Sequence, residues 1–410
     1  MDADSSPEQE AHKQAAQREA FAQLCIAELT RLNVPGPIEY DADEFRLIVG
    51  TDKQIWNLVN IEAEHRQGVV KLPELIANFV SGVRDFNDLD TDNFESIRGI
   101  LVPTVRERVY FEFTRLSAQV RKSQELAVPF RPLSDSLIVS LALDTPRALR
   151  FITQKDLDSW SMSFEEVFMV AVENLAEKSP GEWYQAEGVY IGNWEDCNSP
   201  ARMVLAELIH ALPVKGLPVA LVPNRNYLII TGSQDIEGQK RAMEIMQEAL
   251  GEPRPMSGRP LILRDERWHT FFPQYDTPLY DDYQRLYMGG AQTDYGEQKD
   301  LLTKLHEEKG EDIYIASFGV LQNTETRQLK SWCAWTKGVV SLLPCTDSIM
   351  FLNPEQGENA PILEVRWNDA IRVFAHLMKK DESLYPERWL VDSFPEEEAL
   401  KAVAVKGDSE

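Results

Sequence analysis

Apolar residues recur at helical spacing close to the start of the chain. Phe21, Cys25, Leu29 and Leu32 fall on one face of a helix, whereas the first dozen residues are polar and show no such period. A polar segment without an apolar face has little to pack against the rest of the protein. We therefore expect a disordered N-terminus over residues 1–17, followed by a helix.

Two segments with strand-like alternation follow this helix. Phe45, Leu47 and Val49 alternate with polar residues, and the segment KQIWNLVNI is the second predicted strand. A helix-rich stretch then extends to about residue 83. Together these elements predict an α-β-β-α unit over residues 18–98.

The middle of the chain repeats this order of elements in a longer form. SLIVSLALD with RALRFIT, and LPVALVP with NYLIITG, predict two antiparallel strand pairs. Ser163, followed by Glu165 and Glu166, is typical of a helix start. The linker GEPRPMSGRP, at 251–260, indicates the end of a central α+β domain over residues 99–255.

Short β-like runs that contain aromatic residues characterise residues 256–380. The runs DIYIASFGVL, QLKSWCAWT, VVSLLP and SIMFL predict a mainly antiparallel sheet, with helices at 280–288, 298–308 and 368–379. Residues 381–410 carry nine acids and three bases. We therefore expect an aromatic-rich C-terminal α+β domain that ends in a loosely ordered acidic tail.

The order of elements predicts an α+β fold made of α-β-β-α units with antiparallel sheets, plus this C-terminal domain. The order resembles type III secretion chaperone-like folds. A fold of this kind indicates no function by itself.

Charge restricts the classes of partner that we expect. The chain has 42 Lys and Arg against 67 Asp and Glu, a net charge of −25, which repels nucleic acid and anionic membranes. It has no signal-like start and no apolar run near the ~20 residues that a membrane span requires. We therefore predict no nucleic-acid partner, no membrane partner and a cytoplasmic location.

Common catalytic and metal-binding motifs are absent from the sequence. It contains no HExxH, P-loop, GxGxxG, GxSxG or CxxC pattern, and its six histidines are scattered. We predict no metal, no cofactor and no motif-defined catalytic residue. A catalytic site assembled from distant residues stays open, because such sites are defined by geometry and not by sequence order.

Four segments, NLVNIEAEHRQ, LVPTVRE, DLDSWSMSFEEVFMVAVENL and VALVPNRNYLIITG, occur in this order. They resemble the YtpQ-like bacterial proteins classed as domain of unknown function 1444, over about residues 18–255. The segment WCAWTKGVVSLLPCTD belongs to what looks like a C-terminal extension. The resemblance implies no reaction, cofactor or catalytic residue. Where that family usually reads PSRD, this chain has Asn226 in place of the carboxylate, which disfavours catalysis there.

Two basic positions are candidate binding residues in the central domain. Arg225, with Asn226, lies in a turn between two apolar strands, where a guanidinium group could bind a carboxylate or phosphate or could fix the turn. Arg106 is the second candidate. Its neighbours Glu107 and Glu112 offer a structural ion pair as the alternative.

The C-terminal domain supplies a third candidate site. Trp335, Lys337 and Asp347 combine an aromatic ring with both charges, which would suit a groove for a peptide or small ligand. Strand alternation puts Trp332 and Trp335 on opposite faces, so at least one ring is expected in the core. Both alternatives, groove and core, stay open at Trp335.

These features favour a non-catalytic protein-interaction or scaffold module that binds a protein partner of basic or amphipathic character. One alternative is a hydrolase or transferase with a dispersed site near Arg225 or Asp347. Another is a small-ligand sensor whose domains close across the 251–260 linker.

Overall fold

The computed structural model describes residues 7–405 except 43, 51–53, 67, 69, 88, 124–125, 181–182, 195, 325–326 and 358–360. The described chain has a mixed α+β fold with five mostly antiparallel sheets, which confirms the predicted fold class. None of the helices in this part of the chain is long and apolar enough to cross a membrane.

The chain divides into two compact units, each built from separate stretches of sequence. The first unit comprises Met1–Thr104, Leu141–Pro180 and Gln247–Pro255, and the second comprises Val105–Ser140, Gly181–Met246 and Met256–Glu410. The sequence-based division at residues 98, 255 and 380 uses continuous stretches and so differs from this one. Sequence patterns identify elements, whereas units are defined by which elements pack together.

The first unit joins helices to a three-stranded antiparallel sheet. Its helices are Pro7–Arg31, Leu58–Arg66, Leu72–Asn87, Phe94–Ile97, Gln154–Trp160 and Phe164–Glu177, with a 3-10 turn at Arg98–Ile100. Its strands are Ile38–Asp41, Arg46–Val49, Gln54–Asn57 and Leu149–Phe151, with parts of Leu101–Glu107 and Leu137–Asp144. Phe21, Cys25 and Leu29 are buried in its core, as their spacing predicts, and burial raises the pKa of the Cys25 thiol to about 12.

The N-terminal helix is longer than the sequence pattern predicts. It begins at Pro7, so residues 7–17 are helical where we expected disorder, and residues 1–6 lie outside the described part. Proline is favoured at the first helical position, and the segment after it is rich in Ala, Glu and Gln, which have high helix propensity. An existing helix extends into such a segment without an apolar face, because propagation costs little.

Local predictions in the middle of the chain are confirmed. Leu137–Asp144 pairs antiparallel with Leu149–Phe151, and Pro218–Leu221 pairs antiparallel with Ile229–Gly232. Ser163 caps its helix: its hydroxyl accepts the Glu166 N–H while the Glu166 carboxylate accepts the Ser163 N–H.

The second unit contains three sheets. The six-stranded sheet is antiparallel, in the spatial order Arg267–Thr270, Leu261–Arg264, Pro218–Leu221, Ile229–Gly232, Val189–Gly192 and Trp183–Ala186. One four-stranded sheet has the order Tyr314–Ile315, Ser341–Pro344, Arg388–Val391 and Lys379–Asp381, and the other has Gly319–Gln322, Leu329–Thr336, Ser348–Leu352 and Leu363–Arg366. Phe130–Pro132 is a further strand.

Helices complete the second unit. They are Arg108–Val120, Ala206–His210, most of Ile236–Ala249, Tyr280–Lys309, Trp367–Phe374 and Glu397–Val403, with 3-10 turns at Ser199–Val204, Pro354–Gln356 and Ala375–Leu377. Tyr280–Lys309 is one helix where the sequence predicts two separate ones, because it continues through Gly289 and Gly290. A Cβ atom at Gly290 would lie 2.8 Å from a terminal nitrogen of Arg259, so glycine there leaves room for that side chain.

The prediction of a loosely ordered acidic tail is wrong for residues 381–405. Lys379–Asp381 and Arg388–Val391 are strands, Glu397–Val403 is a helix, and Val391 and Leu400 are buried in a core of the second unit. The acids lie largely on exposed positions, while the few apolar residues between them form the packed face. The net negative charge of this segment therefore did not indicate that it is ordered. Residues 406–410 lie outside the described part.

Candidate functional site

Arg225 and Asn226 lie in the turn where the sequence places them. The side chain of the buried Asn224 accepts a hydrogen bond from the Asn226 N–H at 2.8 Å, which fixes the turn. Arg225 is half-buried and Asn226 is exposed.

Arg106 is buried in the strand Leu101–Glu107, and it donates a hydrogen bond to the carbonyl of Val105 at 2.7 Å. The carboxylate of Glu112 pairs with Arg115 at 2.8 Å, and the carboxylate of Glu107 accepts the Ser257 N–H at 2.9 Å. Both carboxylates that we considered as partners of Arg106 therefore contact other groups.

The three candidates in the C-terminal segment do not form one site. Trp335 is fully buried and donates to the Ser393 carbonyl at 3.1 Å, so its ring belongs to the core. The Asp347 carboxylate accepts both the N–H and the hydroxyl of Ser331, each at 2.8 Å, which fixes the backbone there. Lys337 lines a cavity.

This cavity, the Lys337 pocket, has a volume of about 230 Å³. Phe351 and Phe394 provide apolar lining, and Trp335 packs against both rings. Its lysines are already paired with carboxylates, Lys337 with Glu355 and Lys401 with Glu397. A volume below the ~300 Å³ at which ligand pockets usually begin, with paired charges at the rim, makes it a weak binding site.

A larger cavity of about 650 Å³ lies beside the start of the helix Ile236–Ala249. Its lining includes three basic and four acidic side chains, among them the ion pairs Lys215–Asp235 at 3.0 Å and Arg241–Glu244 at 2.9 Å. Because the two signs of charge largely neutralise each other, this cleft has no clear preference for an ionic ligand.

The third cavity, which we call the Phe272 groove, has a volume of about 670 Å³ and lies in the second unit. Its apolar floor includes Ile262, Phe271 and Leu279, all buried. A volume of this size is within the ~300 to 1,000 Å³ range of ligand sites, and an apolar floor is usual for them.

The walls of the Phe272 groove are unusual because large apolar side chains there remain exposed to solvent. Leu217 is 39%, Ile236 is 45% and Phe272 is 41% exposed. Single exposed apolar residues are common on protein surfaces, whereas several around one concavity indicate an interaction site.

The ring of Phe272 is held in place before any partner binds. It stacks on Tyr287 with ring centroids 4.3 Å apart, and the Tyr287 hydroxyl donates to the Pro260 carbonyl at 2.7 Å. Burial raises the pKa of Tyr287 well above its usual range, so this hydroxyl stays protonated as a donor. A wall fixed in this way loses little conformational entropy on binding.

Several polar groups in the lining are committed to bonds within the protein. The Gln239 amide donates to the carbonyls of Gly232 and Ser233, each at 3.0 Å. The Ser233 hydroxyl accepts the Leu217 N–H at 2.9 Å, and the Thr277 hydroxyl donates to the Gln274 carbonyl at 2.7 Å. These bonds leave fewer polar groups for a partner, while the apolar surface and the charge of the groove remain available for recognition.

Arg264 is the charged residue among the fourteen that line the groove. It is exposed, and it forms no ion pair with any residue in the described part of the chain. The groove thus joins an apolar surface to one available guanidinium group.

A buried polar cluster in the second unit has a different character. Arg259 pairs with Asp294, while Glu107 accepts the N–H of Ser257. Burial raises the pKa of both carboxyl groups, despite the nearby guanidinium. These contacts connect the segment after residue 255 to the helix Tyr280–Lys309, so the cluster serves to hold elements together.

No group of three or more His, Cys, Asp or Glu side chains is arranged to hold a metal ion within the described ranges. Comparisons of the chain with protein-family models, curated proteins and solved structures find no match. The resemblance to the YtpQ-like family therefore stays a prediction.

The residues of the Phe272 groove were not identified by sequence reasoning. They come from separate strands, turns and helices between positions 216 and 279. Phe271 and Phe272 show why these residues are hard to identify from sequence: the two are identical neighbours, yet one ring is buried and the other is exposed. The Asp265-Glu266 turn that follows Arg264 is the one local signal, and it indicates only a hairpin.

Proposed function

We propose that this protein is a non-catalytic protein-interaction module of the cytosol, and that it docks a segment of a partner protein in the Phe272 groove. The observation that carries the proposal is the exposure of Leu217, Ile236 and Phe272 around one cavity of about 670 Å³. Apolar anchors that enter such a concavity supply most of the energy in many interfaces.

Packing supports a preformed site. The floor is buried, the Phe272 ring is stacked on Tyr287, and the Gln239 amide is bonded to backbone carbonyls. A partner would therefore bury apolar surface without first rearranging the groove, which favours binding.

Site-specific photo-crosslinking in cells tests this role. A photoreactive residue at position 217 should cross-link one protein in high yield, and the same residue at position 362 should not. Ile362 is 60% exposed and does not line the groove, so it reports non-specific contact. Identical cross-linking patterns from both positions, or none from position 217, would contradict a docking role.

A small-ligand sensor is the second candidate, because the volume of the groove also suits a small molecule. A ligand that binds only the folded state raises the unfolding temperature, so screening a metabolite panel by thermal shift separates the two functions. Stabilisation that Ile236→Asp abolishes would favour the sensor. The hydrolase or transferase alternative gains no support at Asp347, whose carboxylate is held by Ser331.

A further inference from the structure

We infer that the Phe272 groove selects an acidic amphipathic segment, in which an apolar side chain enters the groove and a nearby carboxylate pairs with Arg264. This inference rests on the proposed docking role and adds the chemistry of the partner. The inferred partner segment is acidic, whereas the net negative charge of the chain alone suggests a basic partner.

The lining of the Phe272 groove carries positive charge only. Arg264 is the one charged residue of this lining, and none of the fourteen lining residues is Asp or Glu. A lysine or arginine in the partner would meet a like charge, whereas a carboxylate would meet a guanidinium group that can donate two parallel hydrogen bonds.

The Arg264 guanidinium group is accessible to a partner. Arg264 is exposed and has no ion-pair partner in the part of the chain that the structure describes. Arg241, in the neighbouring cleft, instead pairs with Glu244 at 2.9 Å. A partner carboxylate at Arg264 would therefore not have to displace an internal acid.

Arg264 shares a strand with a residue of the apolar floor. Ile262 and Arg264 are two residues apart on the strand Leu261–Arg264, so their side chains leave the same face of the sheet. Two residues of strand span about 7 Å. A matching segment needs an apolar side chain and a carboxylate on one face at roughly that separation, as in residues i and i+2 of a strand or i and i+4 of a helix.

Two short fluorescein-labelled peptides test the inference by anisotropy with the full chain. They share the same leucine and phenylalanine positions and carry either glutamate or lysine elsewhere. The measurement is made near 0.15 M salt, where the Debye length is about 8 Å and the net charge of −25 is largely screened. We expect the glutamate peptide to bind about threefold or more tightly than the lysine peptide.

Arg264→Glu should reverse this order of affinities, because it changes the sign of the charge in the lining. Arg366→Glu is the matched control: Arg366 is exposed, is the last residue of its strand as Arg264 is of Leu261–Arg264, and does not line the groove. The control should keep the preference for the glutamate peptide, and circular dichroism of both variants should match the parent.

Tighter binding of the lysine peptide, equal binding of both peptides, or an equal effect of Arg366→Glu would overturn the inference. The variant Ile236→Asp separates this failure from failure of the docking role. If Ile236→Asp abolishes binding of a preferred lysine peptide, the groove docks partners but has the opposite charge preference. If neither peptide binds, the docking role itself fails together with the inference.

Discussion

Arg388 and Arg264 show two ways in which the second unit holds a guanidinium group. Arg388 is fully buried, and burial lowers its pKa to about 10, whereas Arg264 is exposed at the Phe272 groove. The donors of Arg388 are taken by protein oxygens, namely Gln298 Oε1 at 2.6 Å, the Ala316 carbonyl at 2.8 Å, and the Leu342 and Tyr295 carbonyls at 3.0 Å each.

The difference separates a structural cation from an available one. A buried charge is tolerated because the protein itself satisfies its donors, and removing it leaves buried acceptors without partners. Arg264 has no such internal role in the described chain. We therefore expect changes at Arg388 to alter stability and changes at the groove to alter binding.

The largest expected effect is at Arg388. Arg388→Met fills a similar volume but removes four hydrogen bonds, to three carbonyls and the Gln298 side chain, so the free energy of unfolding should fall by about 3 to 5 kcal/mol. Urea denaturation followed by circular dichroism measures this change. A loss below about 1 kcal/mol would show that water or other donors replace the guanidinium group.

An intermediate effect is expected at Phe272. Phe272→Ser removes a ring that is 41% exposed and stacked on Tyr287, so stability should fall by about 1 to 2 kcal/mol. Affinity for the cross-linked partner should fall about tenfold or more, as at a central interface anchor. Leu321→Ser, at another exposed apolar residue outside the groove, should leave affinity unchanged.

A smaller, pH-dependent effect is expected at Glu107. Burial raises its pKa, so the folded state binds this proton more tightly than the unfolded state does; the resulting stability is fully present below the unfolded pKa and is lost as pH rises through the folded pKa. Glu107→Gln keeps an oxygen for the Ser257 N–H. It should therefore melt above the parent protein near neutral pH, and the difference should shrink as pH falls.

Thermal unfolding at several pH values measures this difference, with the exposed Glu398→Gln as control. Melting of Glu107→Gln below the parent protein near neutral pH would mean that the Glu107 carboxylate stabilises the fold.

The smallest effect is the stability change at Arg264. Arg264→Gln should change the free energy of unfolding by no more than about 0.5 kcal/mol, because the side chain is exposed and makes no ion pair within the described residues. A larger loss in urea denaturation would place Arg264 with Arg388 as a structural residue.

Local signals in the sequence predicted much of the secondary structure. Alternation identified the antiparallel pair at residues 218–232, and Ser163 marked a helix start. The segment around Arg388 was misread because an arginine among acids resembles a solvated tail, while its partners are 46 to 93 residues away in sequence. Only tertiary packing reveals such a role.

The groove could not be predicted for a related reason. Leu217, Ile236 and Phe272 have the same residue types as the core, and nothing local distinguishes an exposed from a buried apolar side chain. Trp335 shows the same limit from the other side, because the sequence left both a groove and a core position open for its ring, which is fully buried.

The most direct test of the docking role is an anisotropy titration of the partner segment recovered by cross-linking. It compares the parent protein with Ile236→Asp in the groove wall and Ile362→Asp outside it, two exposed isoleucines changed in the same way. We predict at least a tenfold loss of affinity for Ile236→Asp and none for Ile362→Asp. Equal affinities for all three proteins would show that the Phe272 groove is not the docking site.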